Sequence, residues 1–330
     1  MNAVLVREHA DGLWTVVPSG APTVLDDAPA LDTLVLEVIG GHLSWSLSAD
    51  EHVPAAVLHD LDDAQEWLWA VYGERVALAV ADKRTGELPA DPALPTLVTR
   101  ARRLAYAHWA ARWWPASTID GIPALDQSLL DTEIATLTEE CESLVDGVDA
   151  NLEPMTAPSA ALGRAEDYAL AAGPGARHGE LVLGRGSGGW DWRRCPPGLV
   201  DASERAVSWE LTRAEGATLV RVRAVAAPQL VAAPAHLRPR ALLDTAGGAV
   251  DTELELFGDT WQGVASVWSD EVASVRVYVP GVGPAELNAA EREERQRIRD
   301  FAVARLGRAA AGDDDLLLAE IAAAAMDSDF

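Results

Sequence analysis

The predicted architecture is organised around residues 97–117, whose sequence is LVTRARRLAYAHWAARWWPAS. This stretch holds four arginines, three tryptophans and no acidic residue, whereas the segments before and after it are rich in aspartate and glutamate. Proline fits the first turn of a helix and disrupts a helix interior. We therefore expect a helix that starts near Pro95 and stops before Pro115.

This helix has two apolar faces. At about 100° per residue, Leu104 lies on a face of leucine and alanine, and Trp109 lies on a second face well over a right angle away. A helix that is apolar over most of its circumference is normally buried between other elements, so we expect a central helix. Arg100 and Arg103 share the remaining sector with Trp114, and these three residues form a candidate site for an anionic small molecule.

The chain carries a strong negative charge. It has 330 residues, with 52 acidic and 26 basic side chains and a net charge of -26 at pH 7. An acidic surface repels nucleic acids and anionic lipids, so we expect neither as a partner. The arginines of residues 96–118 lie among this excess of carboxylates, with which buried arginines usually pair. Internal ion pairing is therefore their expected role, and anion binding is the alternative.

The targeting features and cysteines of the chain predict a cytoplasmic bacterial protein. The N-terminal apolar run is interrupted at Arg7, and no later run approaches the roughly 20 residues of a membrane span. Cys141 and Cys195 are too few for a disulfide framework, so we expect reduced thiols. Arginine far outnumbers lysine, as is typical of a GC-rich genome.

The fold class predicted is α+β, beginning with an α+β domain over residues 1–150. Short apolar runs flank the turn dipeptides at residues 11–12 and 40–41, which predicts two β-hairpins. An apolar stripe at helical spacing predicts a helix over residues 64–73, and a further apolar run predicts a strand at residues 76–80.

The rest of the chain is predicted to contain a second long helix, a linker, a β domain and a C-terminal helical region. In the β domain, apolar residues recur at every second position. A helix at about residues 126–145 follows the central helix after a short loop, so the two are expected to be antiparallel neighbours. Residues 151–163 are a plausible linker. Residues 164–284 contain about seven alternating runs, which predict an all-β sandwich, immunoglobulin-like or related. Residues 285–330 are expected to form a C-terminal helix and an acidic amphipathic tail.

A glycine-rich motif occurs in the predicted sandwich. Residues 184–189, GRGSGG, match the G-x-G-x-x-G pattern of dinucleotide-binding loops. A phosphate loop opens a helix, however, and WDWRRCPP at residues 190–197 cannot begin a helix of useful length. We therefore expect a loop that connects two strands, and no nucleotide cofactor.

The best candidate loop for partner binding follows that motif. Trp190 and Trp192 would share one face of a strand, with Arg193 and Arg194 beside them. If the rings are exposed, they form a platform for a partner protein or a sugar; if they are buried, they belong to the core. The sequence leaves both possibilities open.

Other conspicuous side chains are expected to be structural. Core positions are predicted for Trp209, Trp268 and Cys141, and a hydrogen-bonded interior position for His108. Cys195 has no histidine at a spacing that would activate its thiol, so we expect no nucleophile there. Acidic clusters in the chain suit helix N-termini better than a metal site. No catalytic residue, metal or cofactor is therefore predicted.

The expected function is that of a non-enzymatic adaptor or assembly subunit of a multi-protein complex. Docking is predicted through the sandwich loops and through the C-terminal tail, where Leu317 and Ile321 would enter a groove of the partner. One alternative is an enzyme or ligand-binding protein with an inter-domain site for an anionic small molecule. A second alternative is a carbohydrate-binding sandwich.

Overall fold

The computed structural model describes residues 2–9, 12–26, 30–49, 53–145, 181–214, 216–230, 236–283, 291–309 and 315–327. In these ranges the chain has six helices and three antiparallel sheets, with strands dominating the second half, so the predicted α+β class is confirmed. The chain divides into two compact units: unit 1 comprises Met1–Trp114, Leu125–Pro154 and Glu294–Phe330, and unit 2 comprises Pro115–Ala124 and Met155–Glu293.

The two units are interleaved along the chain. The chain leaves unit 1 after Trp114, re-enters it at Leu125 and returns to it near the C-terminus. The ranges expected from sequence were continuous and set residues 285–330 apart, whereas most of that region belongs to unit 1. Local patterns do not report such long-range association. The proposed linker at residues 151–163 lies outside the described residues.

One antiparallel sheet forms the strand layer of unit 1. Its strands are β1 (Asn2–Glu8), β2 (Trp14–Pro18), β3 (Thr33–Val38), β4 (Gly41–Ser46), β5 (Ala55–Leu58) and β6 (Gly86–Ala90). They are arranged in the order β3-β4-β5-β2-β1-β6. β1 pairs with β2 and β3 with β4, which confirms both predicted hairpins; Asp11 lies outside the described residues. Leu36 lies opposite Leu43, and both are buried, so this face belongs to the core.

The described ranges contain six α-helices. They are α1 (Leu61–Tyr72), α2 (Glu74–Ala81), α3 (Pro95–Trp113), α4 (Gln127–Glu140), α5 (Glu291–Ala309) and α6 (Leu318–Asp327). The Asp60 carboxylate caps α1 by accepting from two backbone N–H groups of the first turn. No described helix is both long and apolar enough to cross a membrane.

The strand predicted at residues 76–80 is wrong, because this segment belongs to α2. Gly73 adopts a left-handed φ of 86° between α1 and α2, so the second helix begins directly after the first. Val76 and Val80 are buried while Leu78 is exposed, which is a helical rather than an alternating pattern. A short apolar run is compatible with either period, which explains the error.

The central helix α3 has the predicted bounds. It begins with Pro95 in its first turn and ends before Pro115. Leu104 and Trp109, which represent its two apolar faces, are both buried. α3 packs against β3, α1 and α4, so it joins the sheet to the other helices of unit 1.

Unit 2 contains two antiparallel sheets. Its strands are β7 (Leu181–Gly188), β8 (Val207–Ala214), β9 (Ala217–Val225), β10 (Arg240–Thr245), β11 (Gly248–Glu253), β12 (Glu255–Phe257), β13 (Thr260–Val267) and β14 (Val272–Tyr278). One sheet has the order β12-β13-β9-β8-β7 and the other β11-β10-β14. Val220, Val222 and Ala224 are fully buried and alternate along β9 with arginines, as the period of two requires.

A buried carboxylate holds the segment Pro115–Ala124 inside unit 2. Asp201 accepts hydrogen bonds from Ser117 Oγ at 2.7 Å and from the Thr118 N–H at 2.8 Å. Ser117 and Ile122 form a β-bridge within the segment. The loop expected merely to connect two helices is therefore a structural part of the other unit.

Candidate functional site

The arginines of α3 hold carboxylates of α4. Arg103 donates to Glu133 Oε1 from Nε at 3.2 Å and from Nη2 at 2.6 Å. Arg100 Nε lies 3.2 Å from Glu140 Oε2. Trp114, just after α3, is half-buried. Both guanidinium groups that were candidates for anion binding therefore already carry a carboxylate, as the charge distribution of the sequence indicated.

The Arg103–Glu133 pair also fixes the start of α6. Arg103 Nη2 donates to the Leu316 carbonyl at 2.9 Å, and Glu133 Oε2 accepts from the Leu318 N–H at 2.8 Å. Glu133 is buried. One ion pair thus satisfies a backbone acceptor and a backbone donor at a helix end, where groups without an intrahelical partner occur. Its role is to hold the C-terminal helix within unit 1.

A second ion cluster joins α3, α5 and α6. Glu320 is fully buried, and Arg305 donates to its two oxygens from Nε at 2.8 Å and from Nη2 at 2.6 Å. The Tyr106 hydroxyl donates to the same carboxylate at 2.5 Å, and the Leu317 N–H donates at 2.8 Å. Each oxygen of this buried carboxylate therefore accepts two hydrogen bonds, which is the condition for burying a charge without a large penalty.

Tyr106 and Arg305 both keep their protons near neutral pH, because the pKa of each group is raised. Burial, together with the negative charge of Glu320, raises the pKa of Tyr106 well above its usual value. Burial alone would lower the pKa of Arg305, but hydrogen bonding to Glu320 and the neighbouring negative groups outweigh it, so that pKa is raised. The guanidinium also lies 4.5 Å from the centroid of the Tyr106 ring. The cluster is a permanent structural link rather than a proton-transfer site.

The two tail residues predicted to meet a partner differ in exposure. Leu317 is fully buried, whereas Ile321 is 43% exposed on α6. Leu318 and Met326 are also exposed apolar residues of this helix. Leu317 therefore belongs to the interior of unit 1, and Ile321 is the tail residue that remains accessible.

The predicted partner loop of unit 2 is largely internal. Trp190 and Trp192 are both buried, and Trp190 Nε1 donates to the Asp201 carbonyl at 2.7 Å. Arg193 and Arg194 lie with Trp192 in a short 3-10 helix, and both are half-buried. The rings do not form an exposed platform. A role for this loop in binding a partner stays a prediction.

The glycine-rich motif serves packing. Gly184 and Gly186 lie on β7, so the expected connecting loop is in fact a strand. A Cβ placed on Gly186 would come within 2.5 Å of the Trp209 ring, and one on Gly184 would lie 3.6 Å from it. The glycines therefore make room for an indole, which is a reason for glycine that needs no phosphate.

The thiols are poor nucleophiles. Burial raises the pKa of Cys195 to about 12 and, as the main cause, that of Cys141 to about 11. Burial lowers the pKa of His108, which favours the neutral imidazole. A nucleophilic thiol needs the opposite shift. In the part of the chain that the structure describes, no three His, Cys, Asp or Glu side chains are grouped to hold a metal ion.

The most exposed aromatic ring of the described residues is Trp268, just after β13. Its relative exposure is 97%, so the predicted core position is wrong. Val267, immediately before it, is buried, and Ser269 makes turn hydrogen bonds with Glu271 immediately after it. The main chain is therefore held on both sides of a ring that projects into solvent. The sequence signal for this exposure is the Ser-Asp pair that follows Trp268, because such residues indicate a turn at the end of a strand.

The outer face of the five-stranded sheet carries two arginines without an ion pair among the described residues. Arg221 and Arg223 alternate on β9 with the buried valines, so they share the opposite face. Their neighbours across the ladder include Val264, which is exposed. The sequence showed this alternation, but it could not show that the arginines lack acidic partners.

Comparison with known protein families, curated proteins and solved structures gives no match. Function must therefore be inferred from the surfaces and side-chain environments of the molecule itself.

Proposed function

We propose that this protein is a non-enzymatic adaptor or assembly subunit that binds a partner protein through a surface of unit 2. The observation that carries the proposal is the 97% exposure of Trp268. Tryptophan is enriched among the residues that dominate the energetics of protein interfaces. A fully exposed indole on a fixed main chain is a suitable anchor for such an interface.

The energetic contribution of this anchor is substantial. Burying an indole removes on the order of 150–250 Å² from water, or roughly 4–6 kcal/mol at about 25 cal/mol per Å², before the costs of association. Trp268 directly follows β13 of the five-stranded sheet. Val264 on β13 and Phe257 on β12 are further exposed apolar residues of this sheet. Unit 2 thus presents apolar side chains that its own core does not use.

The C-terminal helix contributes a second surface in this proposal. Ile321, Leu318 and Met326 are exposed, while the buried residues of α6 and its ion pairs fix the helix to unit 1. The helix would therefore dock as an element of the folded unit and not as a free tail. Helix-in-groove recognition remains the expected mode.

Quantitative co-purification from the native host tests the proposal. Tagged wild-type protein is compared with Trp268→Ala and with Trp69→Ala, whose ring is 47% exposed on unit 1. We expect at least one protein to be enriched with the wild type and with Trp69→Ala, and to be lost at least tenfold with Trp268→Ala, because an interface anchor contributes about 2 kcal/mol or more.

Two outcomes would count against this function. If Trp268→Ala recovered every associated protein as well as the wild type does, Trp268 would not be an anchor of the interface. Equal loss with both variants would assign the effect to tryptophan removal in general. Unchanged thermal unfolding of the variants controls for folding, because a ring so exposed contributes little to the core.

Two details of the fold are part of the proposal. We propose that β7 to β14 form an immunoglobulin-like or related sandwich, and that α3 and α4 are antiparallel neighbours. The ion pairs Arg100–Glu140 and Arg103–Glu133 support the second point, because the acid number falls as the arginine number rises. A cytoplasmic location, without a metal or cofactor, completes the proposal.

The alternative functions have less support from the geometry. An anion site at Arg100, Arg103 and Trp114 would have to displace carboxylates that two of these residues already hold. A sugar platform at Trp190 and Trp192 would have to expose two buried rings. Both ideas remain predictions, and the adaptor function requires no such rearrangement.

A further inference from the structure

The charge balance on the outer face of the five-stranded sheet is unusual for this chain. In the ladder Arg221 lies between Glu210 on β8 and Val264 on β13. The Glu210 carboxylate is held by Arg185 Nε at 2.6 Å. Among the described residues, Arg221 therefore has an acid opposite it but no ion pair of its own.

Arg223 is the second arginine on this face for which the described residues supply no ion pair. Its ladder neighbours are Ser208 on β8 and Gln262 on β13, neither of which carries a charge. Its Nε is shielded from solvent and has no hydrogen-bond partner. Buried donors in native proteins are usually satisfied, but the Nε of Arg276 is also without a partner although Arg276 pairs with Asp244. What distinguishes Arg223 is that neither of its ladder neighbours is an acid.

The other arginines on the strands of unit 2 show how an arginine is usually paired in this chain. Each of them pairs with an aspartate or glutamate, which is expected in a chain with 52 acidic and 26 basic residues. The pairs are Arg185–Glu210, Arg213–Asp270, Arg240–Asp251 and Arg276–Asp244. Arg221 and Arg223 depart from this rule together and on one face.

We infer that this face binds an extended acidic segment of the partner protein, with Arg221 and Arg223 each taking one carboxylate. Side chains two residues apart on a strand repeat at about 7 Å, and the same repeat holds in an extended peptide. Acids at alternate positions therefore match the spacing of the arginines. The guanidinium forks favour bidentate pairing with carboxylates.

The chemistry favours a short acidic peptide over a nucleic acid. Both could supply anionic oxygens at a regular spacing, but a nucleic acid is a long polyanion and the chain has a net charge of -26. A peptide needs only two carboxylates near the arginines. Ser208 and Gln262 offer hydrogen bonds beside Arg223, and the exposed Val264 offers apolar contact beside Arg221.

This inference rests on the proposed function, because it names the chemistry of the partner that unit 2 binds. The test is fluorescence anisotropy with the full-length protein and a labelled peptide, acetyl-Ser-Thr-Glu-Thr-Glu-Thr-Ser-amide. A peptide with adjacent glutamates keeps the charge but loses the spacing, and a peptide with glutamines loses the charge. A labelled oligothymidylate is the nucleic-acid probe.

We expect the alternating peptide to bind more tightly than either control peptide, and binding to weaken as salt is added. Arg221→Gln and Arg223→Gln should each weaken binding about tenfold, because each removes a charge-assisted hydrogen bond. Arg223→Lys should retain part of the affinity, since lysine keeps the positive charge but cannot form the bidentate pair that a guanidinium makes with a carboxylate. Arg238→Gln, an exposed and paired arginine of the same unit, is the matched control and should change nothing.

Several results would overturn the inference. These are no binding of the alternating peptide by wild-type protein, binding by Arg221→Gln and Arg223→Gln that is as tight as that of the wild type, or tighter binding of oligothymidylate that depends on the same arginines. Failure of the proposed function is seen separately, as unchanged co-purification with Trp268→Ala. Thermal unfolding of each variant confirms that the sheet remains intact.

Discussion

Arg305 of unit 1 and two arginines of unit 2 occupy opposite environments. In unit 1 Arg305 is buried, its guanidinium faces the Tyr106 ring, and Glu320 receives two of its N–H groups. In unit 2 Arg221 and Arg223 lie on a sheet face and have no ion pair among the described residues. The same residue type therefore fastens helices together in one unit and is left available in the other.

This difference separates arginines that stabilise the fold from arginines that are candidates for binding a ligand. A buried ion pair strongly constrains the elements that carry it, because removing one partner leaves the other uncompensated. A half-exposed arginine constrains little and can be satisfied by a ligand. Charge content alone would have placed the functional surface at the basic stretch of α3, where Arg100 and Arg103 are in fact engaged.

The largest effect is expected from Glu320→Gln. The substitution leaves Arg305 without its main counterion in a buried cluster, so the free energy of unfolding should fall by about 3–5 kcal/mol. Urea unfolding followed by circular dichroism measures this change. Glu253→Gln, which breaks an exposed pair with Arg238, should change it by no more than about 0.5 kcal/mol. Similar losses for the two variants would remove the contrast between the units.

The next effect tests how closely Trp209 packs against β7 in unit 2. In Gly186→Ala the new methyl group would overlap the Trp209 ring, so we expect a loss of about 1–3 kcal/mol in urea unfolding. Gly188→Ala on the same strand is the control, since its methyl group would meet no atom within 4 Å. If both variants were equally stable, the packing explanation for the glycine motif would fail.

A third effect compares one buried thiol from each unit. An unfolded thiol ionises near pH 8.5, whereas Cys195 keeps its proton in the folded state until about pH 12 and Cys141 until about pH 11. Between these values the unfolded state binds fewer protons, so stability falls as pH rises, by up to about 1.4 kcal/mol per pH unit for each thiol.

Urea midpoints at about pH 8.5 and 9.5 test this prediction. Cys195→Ala and Cys141→Ala should each make the decline shallower than in the wild type, even though each lowers stability at neutral pH. A decline as steep as that of the wild type would mean that the folded thiols ionise normally. Thiol reagents should likewise react slowly until denaturant is added.

The smallest effect is expected at the available arginines. Arg221→Gln and Arg223→Gln should change the free energy of unfolding by about 0.5 kcal/mol or less, because neither residue has an internal ion pair to lose. The same variants are expected to lose peptide affinity. A loss of stability comparable to that of Glu320→Gln would instead make these arginines structural.

Much of the fold follows from local sequence signals. Proline bounds α3, a capping aspartate and Gly73 bound α1, and turn dipeptides mark the first two hairpins. These features depend on residues that are close together in the chain. α2 was missed because Leu78 is apolar and exposed, so its helical period was hidden in a short apolar run.

The candidate site was less accessible from sequence. Glu320 and Asp201 accept hydrogen bonds from Tyr106 and Ser117, which lie in distant segments of the chain, so no spacing rule could identify these contacts. Trp268 was assigned to the core because tryptophan is usually buried, and strand periodicity does not determine the exposure of a residue just beyond the strand end. What the sequence did provide was the alternation of Arg221 and Arg223 with buried valines on β9.

Hydrogen–deuterium exchange on the native complex shows directly which unit binds the partner. The full-length protein is compared alone and with the proteins that co-purify with it. We predict slower exchange in β9, in β13 and around Trp268 when the partner is bound, with α3 and its ion pairs unchanged. Slower exchange confined to unit 1, with no change in the sheet that carries Arg221 and Arg223, would contradict it.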